Sequence, residues 1–342
     1  MDTLWRRSTL LFIWTVTFLI GLSVSDTQAQ ETETRRLIWA HVYETSVPLH
    51  KWAVWAAEEI KKQTNGRYQI DVFPMSTLGK EIQLNQSLSL GTIDIVYAGT
   101  SFVAQKYPPL ALSELPYMFR DYQHWETFKN SVVFEDMINE YKRSSLGNQI
   151  LGNTYYGQRH LTSNFPVTKP AHMKNLKIRV PNAEVYKLFP NANGANPSPI
   201  AFSEAYLALQ QGVVDAQENP LPTIQAKKFY EVNTHINLTG HILGSILTVA
   251  SERLWQELST VDKVIFKKVL NQAAQGASND TREAEQALVN WFKQQGIQVH
   301  EVDRASFRRN TLPLHAEITS RIGESYYDNI QRLEHDNASN TH

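Results

Sequence analysis

The chain has 342 residues, 42% of them hydrophobic and 20% charged, with a formal net charge of −1. That balance describes globular material long enough for two hydrophobic cores, and nothing in it points to nucleic acid or an anionic membrane surface as a partner. The absence of cysteine excludes disulfides, thiolate catalysis and thiolate metal sites.

Arg6 and Arg7 precede an apolar run from Leu10 to Val24, and Thr27-Gln28-Ala29 follows with the small residues a signal peptidase reads. Residues 1–29 are therefore expected to be a secretory signal cleaved near Ala29, because about 15 apolar residues fall short of the roughly 20 that cross a bilayer. No later run is apolar enough to span, so the mature protein is expected to be soluble and exported.

Short β-branched runs then alternate with amphipathic segments, which predicts an α/β fold with mainly parallel strands. Strands are expected at Arg36–Ala40, Tyr68–Phe73 and Ile93–Ala98, separated by helices at Pro48–Thr64 and Glu81–Ser89. In the first helix Leu49, Trp52, Ala53, Ala56 and Ile60 share one face, and Gly66 lies just beyond its end. A second sheet is expected from Gln149–Tyr155, Leu176–Val180 and Val213–Gln217, with a helix from Ser203 to Gln211 stopped at Gly212. From Thr260 to Gln295 the pattern is helical without a proline, a span of ~54 Å if continuous, with a break around Gln275–Ser278 as the alternative. The last dozen residues are polar and expected to be disordered.

No nucleophile elbow, P-loop, zinc-binding His pair or dinucleotide turn is present, and the eleven histidines are scattered rather than spaced as metal ligands. The informative block is Leu176 to Pro220, which sets Arg179 and Asn219 at the ends of two apolar runs. In an open α/β sheet those are the ligand-facing positions. The Arg179 guanidinium is a rigid fork of donors matched to a carboxylate, and the residue before Pro220 is held extended, so the Asn219 amide can point into a cleft.

The segments Gly157–Ser163, Leu176–Pro181, Gly194–Pro199, Phe202–Gln210, Gly212–Pro220 and Lys228–Val232 resemble those of the solute-binding proteins of TRAP transporters, the tripartite ATP-independent periplasmic carriers. The resemblance covers essentially the whole mature chain. It implies a two-lobed clam-shell with hinge strands and a long helix spanning both lobes, with no cofactor. Lobe I would hold roughly residues 31–156 and 245–284, and lobe II roughly 157–244 and 285–338. It also implies a periplasmic monomer that closes on a small organic acid and delivers it to a sodium-driven membrane permease.

Carried onto this sequence, the resemblance makes Arg179 the carboxylate clamp, Arg159 its assistant and Asn219 a polar contact. Phe202 is a further candidate for the ligand's carbon skeleton, or else a packing residue, and Asn182 matches a polar contact of the sialic-acid branch or serves a turn. Glu44 and Tyr97, at the ends of first-lobe strands, could bond hydroxyls from the opposite side, or be solvated and core residues. His241 is a candidate for the cleft or a structural histidine. Sialic-acid binders carry an acidic and then a basic residue after the third strand, and Ala98–Phe102 has neither. A monocarboxylate sugar acid is therefore expected ahead of a C4-dicarboxylate, which needs a further first-lobe cation. A periplasmic enzyme and a sensor-docking receptor are the alternatives.

Overall fold

A computed structural model describes residues 34–333; the expected signal peptide and the polar tail lie outside these residues. The opening is the expected βαβαβ unit. Strands β1 (Arg35–Ala40), β2 (Tyr68–Phe73) and β3 (Ile95–Gly99) are parallel, with β1 between the other two. The helices Pro48–Gln63 and Glu81–Ser89 connect them. Leu49, Ala53, Ala56 and Ile60 of the first helix are buried at the spacing of one helical face. That helix stops where the Thr64 hydroxyl turns back to the Ile60 carbonyl, before the left-handed Asn65 and Gly66.

The rest differs from expectation in a way that matters for the site. There is one continuous sheet, in the order β2-β1-β3-β8-β4-β7-β5-β6, with β9 alongside β8. The later strands are β4 (Gln149–Ser163), β5 (Lys177–Val180), β6 (Asn196–Pro199), β7 (Ala216–Pro220), β8 (His235–Ala250) and β9 (Gln298–His300). Its two flanks are parallel, but its centre is antiparallel, because β4 and β8 pair along almost their whole length. These strands have 15 and 16 residues, so each reaches roughly 50 Å. One end of β8 pairs with β3 and the other with β9, which fuses what would have been two sheets.

Local boundaries also move. Ser203 does not cap a helix: Phe202–Glu204 is a 3-10 turn leading into the helix Ala205–Gln210, and β7 begins three residues later than the apolar run. Helices Tyr122–Lys129 and Val132–Ser144, capped by Asp121 and Ser131, were not anticipated.

The long helix Thr260–Gln294 is unbroken, so the alternative of two helices is not realised. Its 35 residues reach ~52 Å, matching the length of β4, against which it lies. Ser278 fastens it to β4 by donating to the Ala274 carbonyl and accepting from the Tyr155 amide. Gly276 lets the Trp52 ring settle onto the helix backbone, and the indole Nε1 donates to Asp280 at 2.7 Å. A methyl group at Gly276 would collide with that ring. Gly276→Ala should therefore destabilise the protein by about 1–3 kcal/mol in urea titrations, although alanine is the better helix former by about 1 kcal/mol. Pairing it with Trp52→Ala should recover the helix-propensity gain; additive losses in the double variant would show that the ring contact is not the cause.

Candidate functional site

The ends of β4, β5 and β7 lie side by side. Arg159 pairs in register with Pro220, His160 with Asn219, and Arg179 with Gln217, so three short runs far apart in sequence present their polar groups together. They open onto a narrow cavity of about 30 Å³ whose walls include Arg159, Arg179, Asn219 and Phe202 from these and neighbouring elements. Tyr43, Glu81, Phe102 and Glu114 complete it from the β1–β3 side.

Arg179 is 1% exposed. Its Nε donates to the Ile200 carbonyl at 2.8 Å, but both terminal nitrogens are buried without a partner. Among the described residues these are the only charged side-chain atoms in that condition. Burial pulls the guanidinium down to about 10, against the opposing field of Glu81 and Glu218. A desolvated cation with two open donor groups is unfavourable on its own, and a carboxylate matches its geometry. The Phe202 ring lies 6.0 Å from the guanidinium carbon.

Arg159 is in the opposite state. Its Nε donates to Glu218 Oε2, and Nη2 donates to Glu218 Oε1 at 2.7 Å and to the Glu218 carbonyl at 2.8 Å. Burial alone would raise the Glu218 carboxyl, but Arg159 outweighs it and holds Glu218 at about 2. Behind this pair, His241 Nε2 sits 3.2 Å from Glu218 Oε2 and Nδ1 sits 2.8 Å from Thr239 Oγ1. Burial lowers the His241 pKa, so the neutral ring donates from Nε2 to Glu218 and accepts from Thr239. The ring stacks on Phe189 at 4.0 Å.

The remaining candidates are placed elsewhere. His241 is behind Glu218 rather than on the cavity wall. Tyr97 is packed in the core, 4.9 Å from Trp39 and 5.9 Å from His41, because the register of β3 against β8 turns it away from the cleft. Asn182 is exposed beyond Pro181. Glu44 accepts an ion pair from Lys227 at 2.6 Å and is not part of the cavity wall. Asn219 lines the cavity while donating to Gln217 Oε1 at 2.6 Å.

Glu218, Glu81 and Glu114 were missed. Glu218 sits between Gln217 and Asn219 on a strand whose end had been noticed, so its position was readable, but its pairing with Arg159 was not. Glu114 is fully buried: Oε1 accepts from the Ser245 amide at 2.8 Å and Oε2 from the Tyr186 hydroxyl at 3.1 Å. Burial raises its carboxyl to about 7. Larger surface grooves, about 290 Å³ beside Lys129 and about 440 Å³ beside Leu90, contain no unpartnered buried charge. Volume alone does not mark the site.

A model of the bacterial extracellular solute-binding proteins, family 7, matches residues 39–321. The chain belongs to that family. It is a solute-binding protein of the TRAP type, with the two-lobed mixed α/β fold, and its relatives are periplasmic binding proteins rather than enzymes. It is similar to the sialic acid-binding periplasmic protein SiaP of Vibrio cholerae, at 35% identity over 273 residues, covering 78% of this chain and 83% of that protein. A TRAP periplasmic solute-binding protein from Polaromonas, bound to D-erythronate, superposes with a TM-score of 0.84 at 30% identity, covering 88% of this chain and 99% of that one. One from Bordetella, with density assigned to pantoate, gives 0.84 at 31% identity and covers 88% and 100%.

The buried pair sets an acid limit on the binding protein's stability. Glu218 is held down to about 2 from an ordinary 4.5, so its contribution is present above pH 4.5 and is lost as pH falls toward 2. Glu218→Gln should cost about 3–5 kcal/mol at pH 7 by leaving Arg159 uncompensated, and should show a smaller further loss between pH 4.5 and 3 than the wild type. Denaturant titrations at the three pH values measure both; an equal acid loss in the two proteins would contradict the assignment.

Proposed function

We propose that this protein captures a small organic acid in the periplasm through a salt bridge to Arg179 and hands it to a sodium-driven TRAP permease. The observation that carries this reading is the buried Arg179 fork with two unpartnered nitrogens in a cavity between neighbouring strand ends. Asn219 and Phe202 are proposed as further ligand contacts, and Arg159 as a cavity wall whose charge is already matched.

The charge balance favours a monocarboxylate sugar acid over a C4-dicarboxylate. Arg159 is committed to Glu218 and His241 is neutral, so Arg179 is the one cavity-lining cation with donors left open for a ligand carboxylate, and the cavity's remaining charged groups, Glu81 and Glu114, are acids. D-Erythronate and pantoate, named with two similar proteins, are hydroxylated monocarboxylates. Delivery would begin from an exported monomer released by cleavage near Ala29. The proposed lobes are 31–156 with 245–284 and 157–244 with 285–338. The division at 156/157 is supported by an irregularity of β4 between Tyr155 and Gly157, opposite Gly244 and Ser245 of β8.

Arg179→Met tests the reading in two directions at once. A methionine of similar reach removes an unpaired buried charge, so the ligand-free variant should melt at or above the wild type. Wild type should be stabilised by roughly 2.7 kcal/mol in an acid at 100 times its Kd, and the variant by almost nothing. Calorimetric melts across a panel of organic acids including D-erythronate and pantoate supply both readings. Equal ligand-induced shifts in the two proteins would rule out the clamp.

A further inference from the structure

We propose that Glu81 and Glu114 form a carboxylate-excluding, hydroxyl-reading wall opposite Arg179, so that the ligand carries one carboxylate and presents hydroxyl groups to these two acids. The inference rests on the receptor reading above and names the element that sets its substrate class.

Both acids line the same cavity as Arg179, and both come from the β1–β3 side. Glu81 opens the helix Glu81–Ser89, and its carboxylate takes no hydrogen bond or ion pair from any described residue. The neighbouring cation does not neutralise it, because Lys80 pairs with Glu204. Glu114 keeps its two oxygens on the Ser245 amide and the Tyr186 hydroxyl, with the Tyr186 ring 5.0 Å from the Arg159 guanidinium. The β1–β3 wall carries no Lys, Arg or His. The other cavity-lining cation besides Arg179 is Arg159, already committed to Glu218.

A second ligand carboxylate would therefore enter a confined site facing two acids and no free cation, where repulsion is poorly screened. A hydroxyl in the same place donates to a carboxylate, the stronger kind of hydrogen bond. Discrimination of this sort works by penalising the wrong partner as well as by favouring the right one.

The test uses matched pairs of ligands that differ only at one end: aldonates and the corresponding aldarates of four, five and six carbons, D-erythronate against meso-tartrate being the shortest. Titration calorimetry on the mature protein should give at least 100-fold preference for the aldonate in the pair that binds best. Glu114→Gln retains an acceptor for the Ser245 amide while removing the charge, and Glu81→Gln removes the other charge at a half-buried position if the first fails to fold. Each should narrow the ratio at least tenfold through tighter aldarate binding.

A pH series separates this from a purely structural role. Glu114 faces Arg159, Glu218, Tyr186 and Ser245, and its raised value of about 7 means that it gains a proton between pH 8 and 6 while both ligands stay ionised. The wild-type ratio should narrow over that interval, and the Glu114→Gln ratio should stay flat. Equal binding of aldonate and aldarate, or an unchanged ratio in both variants, overturns the proposal alone. Binding of neither member of any pair overturns the proposal too, and the receptor reading falls with it only if the organic-acid panel, pantoate included, also leaves the wild type unstabilised.

Discussion

The site depends on one uncompensated charge. Arg179 is held at the end of β5 by its backbone register and by a single bond from Nε to Ile200, and the remainder of its guanidinium is buried without a partner. Folding this group into place costs free energy that packing elsewhere offsets. On the proposed function that cost makes the side chain useful, because the missing counter-charge would arrive with the ligand and the binding energy would be realised only when the cavity is filled.

Arg159 shows what the fold does with a cation that is not meant to wait. Two free guanidinium groups in one small cavity would repel each other and call for two anions. Glu218 cancels one of them, His241 donates to Glu218 from behind, and Thr239 and Phe189 hold the imidazole in position. The same pair keeps β4 and β7 aligned where both present polar groups to the cavity. Arg179 and Arg159 thus look equivalent as strand-end arginines and have opposite roles, set by a carboxylate that one has and the other lacks.

This is also where sequence reading reached its limit. Arg179 and Asn219 were legible because one follows an apolar run and the other precedes a proline, Arg159 was reached only through the family resemblance, and the first βαβαβ unit was legible from its alternation. β8 was not, because it is buried on almost every residue and so carries no alternating pattern to read. Without it the sheet looked like two, and Tyr97 stayed open between the cleft and the core: in the register with β8, that ring packs against Trp39. Glu44 was recognised as a polar group at a strand end, but its partner Lys227 lies 183 residues away. Pairing at that distance is a property of the fold and leaves no local signal.

The same long strands connect the site to the proposed boundary between the lobes. β4 is irregular at Tyr155/Gly157, where Gly157 adopts φ +114° and a side chain would strike Pro220 and Glu285. Glu285 of the long helix accepts the Gln158 amide at that point, and burial raises its carboxyl to about 7. The long helix is thereby fastened to β4 three residues from its bond to the Tyr155 amide and one residue from Arg159. Any rotation about this point changes the angle between Arg159 on β4 and the Glu81–Glu114 wall. On the proposed lobe division and acid wall, selectivity and closure would be coupled by position: a ligand that Glu81 and Glu114 repel would also oppose the approach of the two walls.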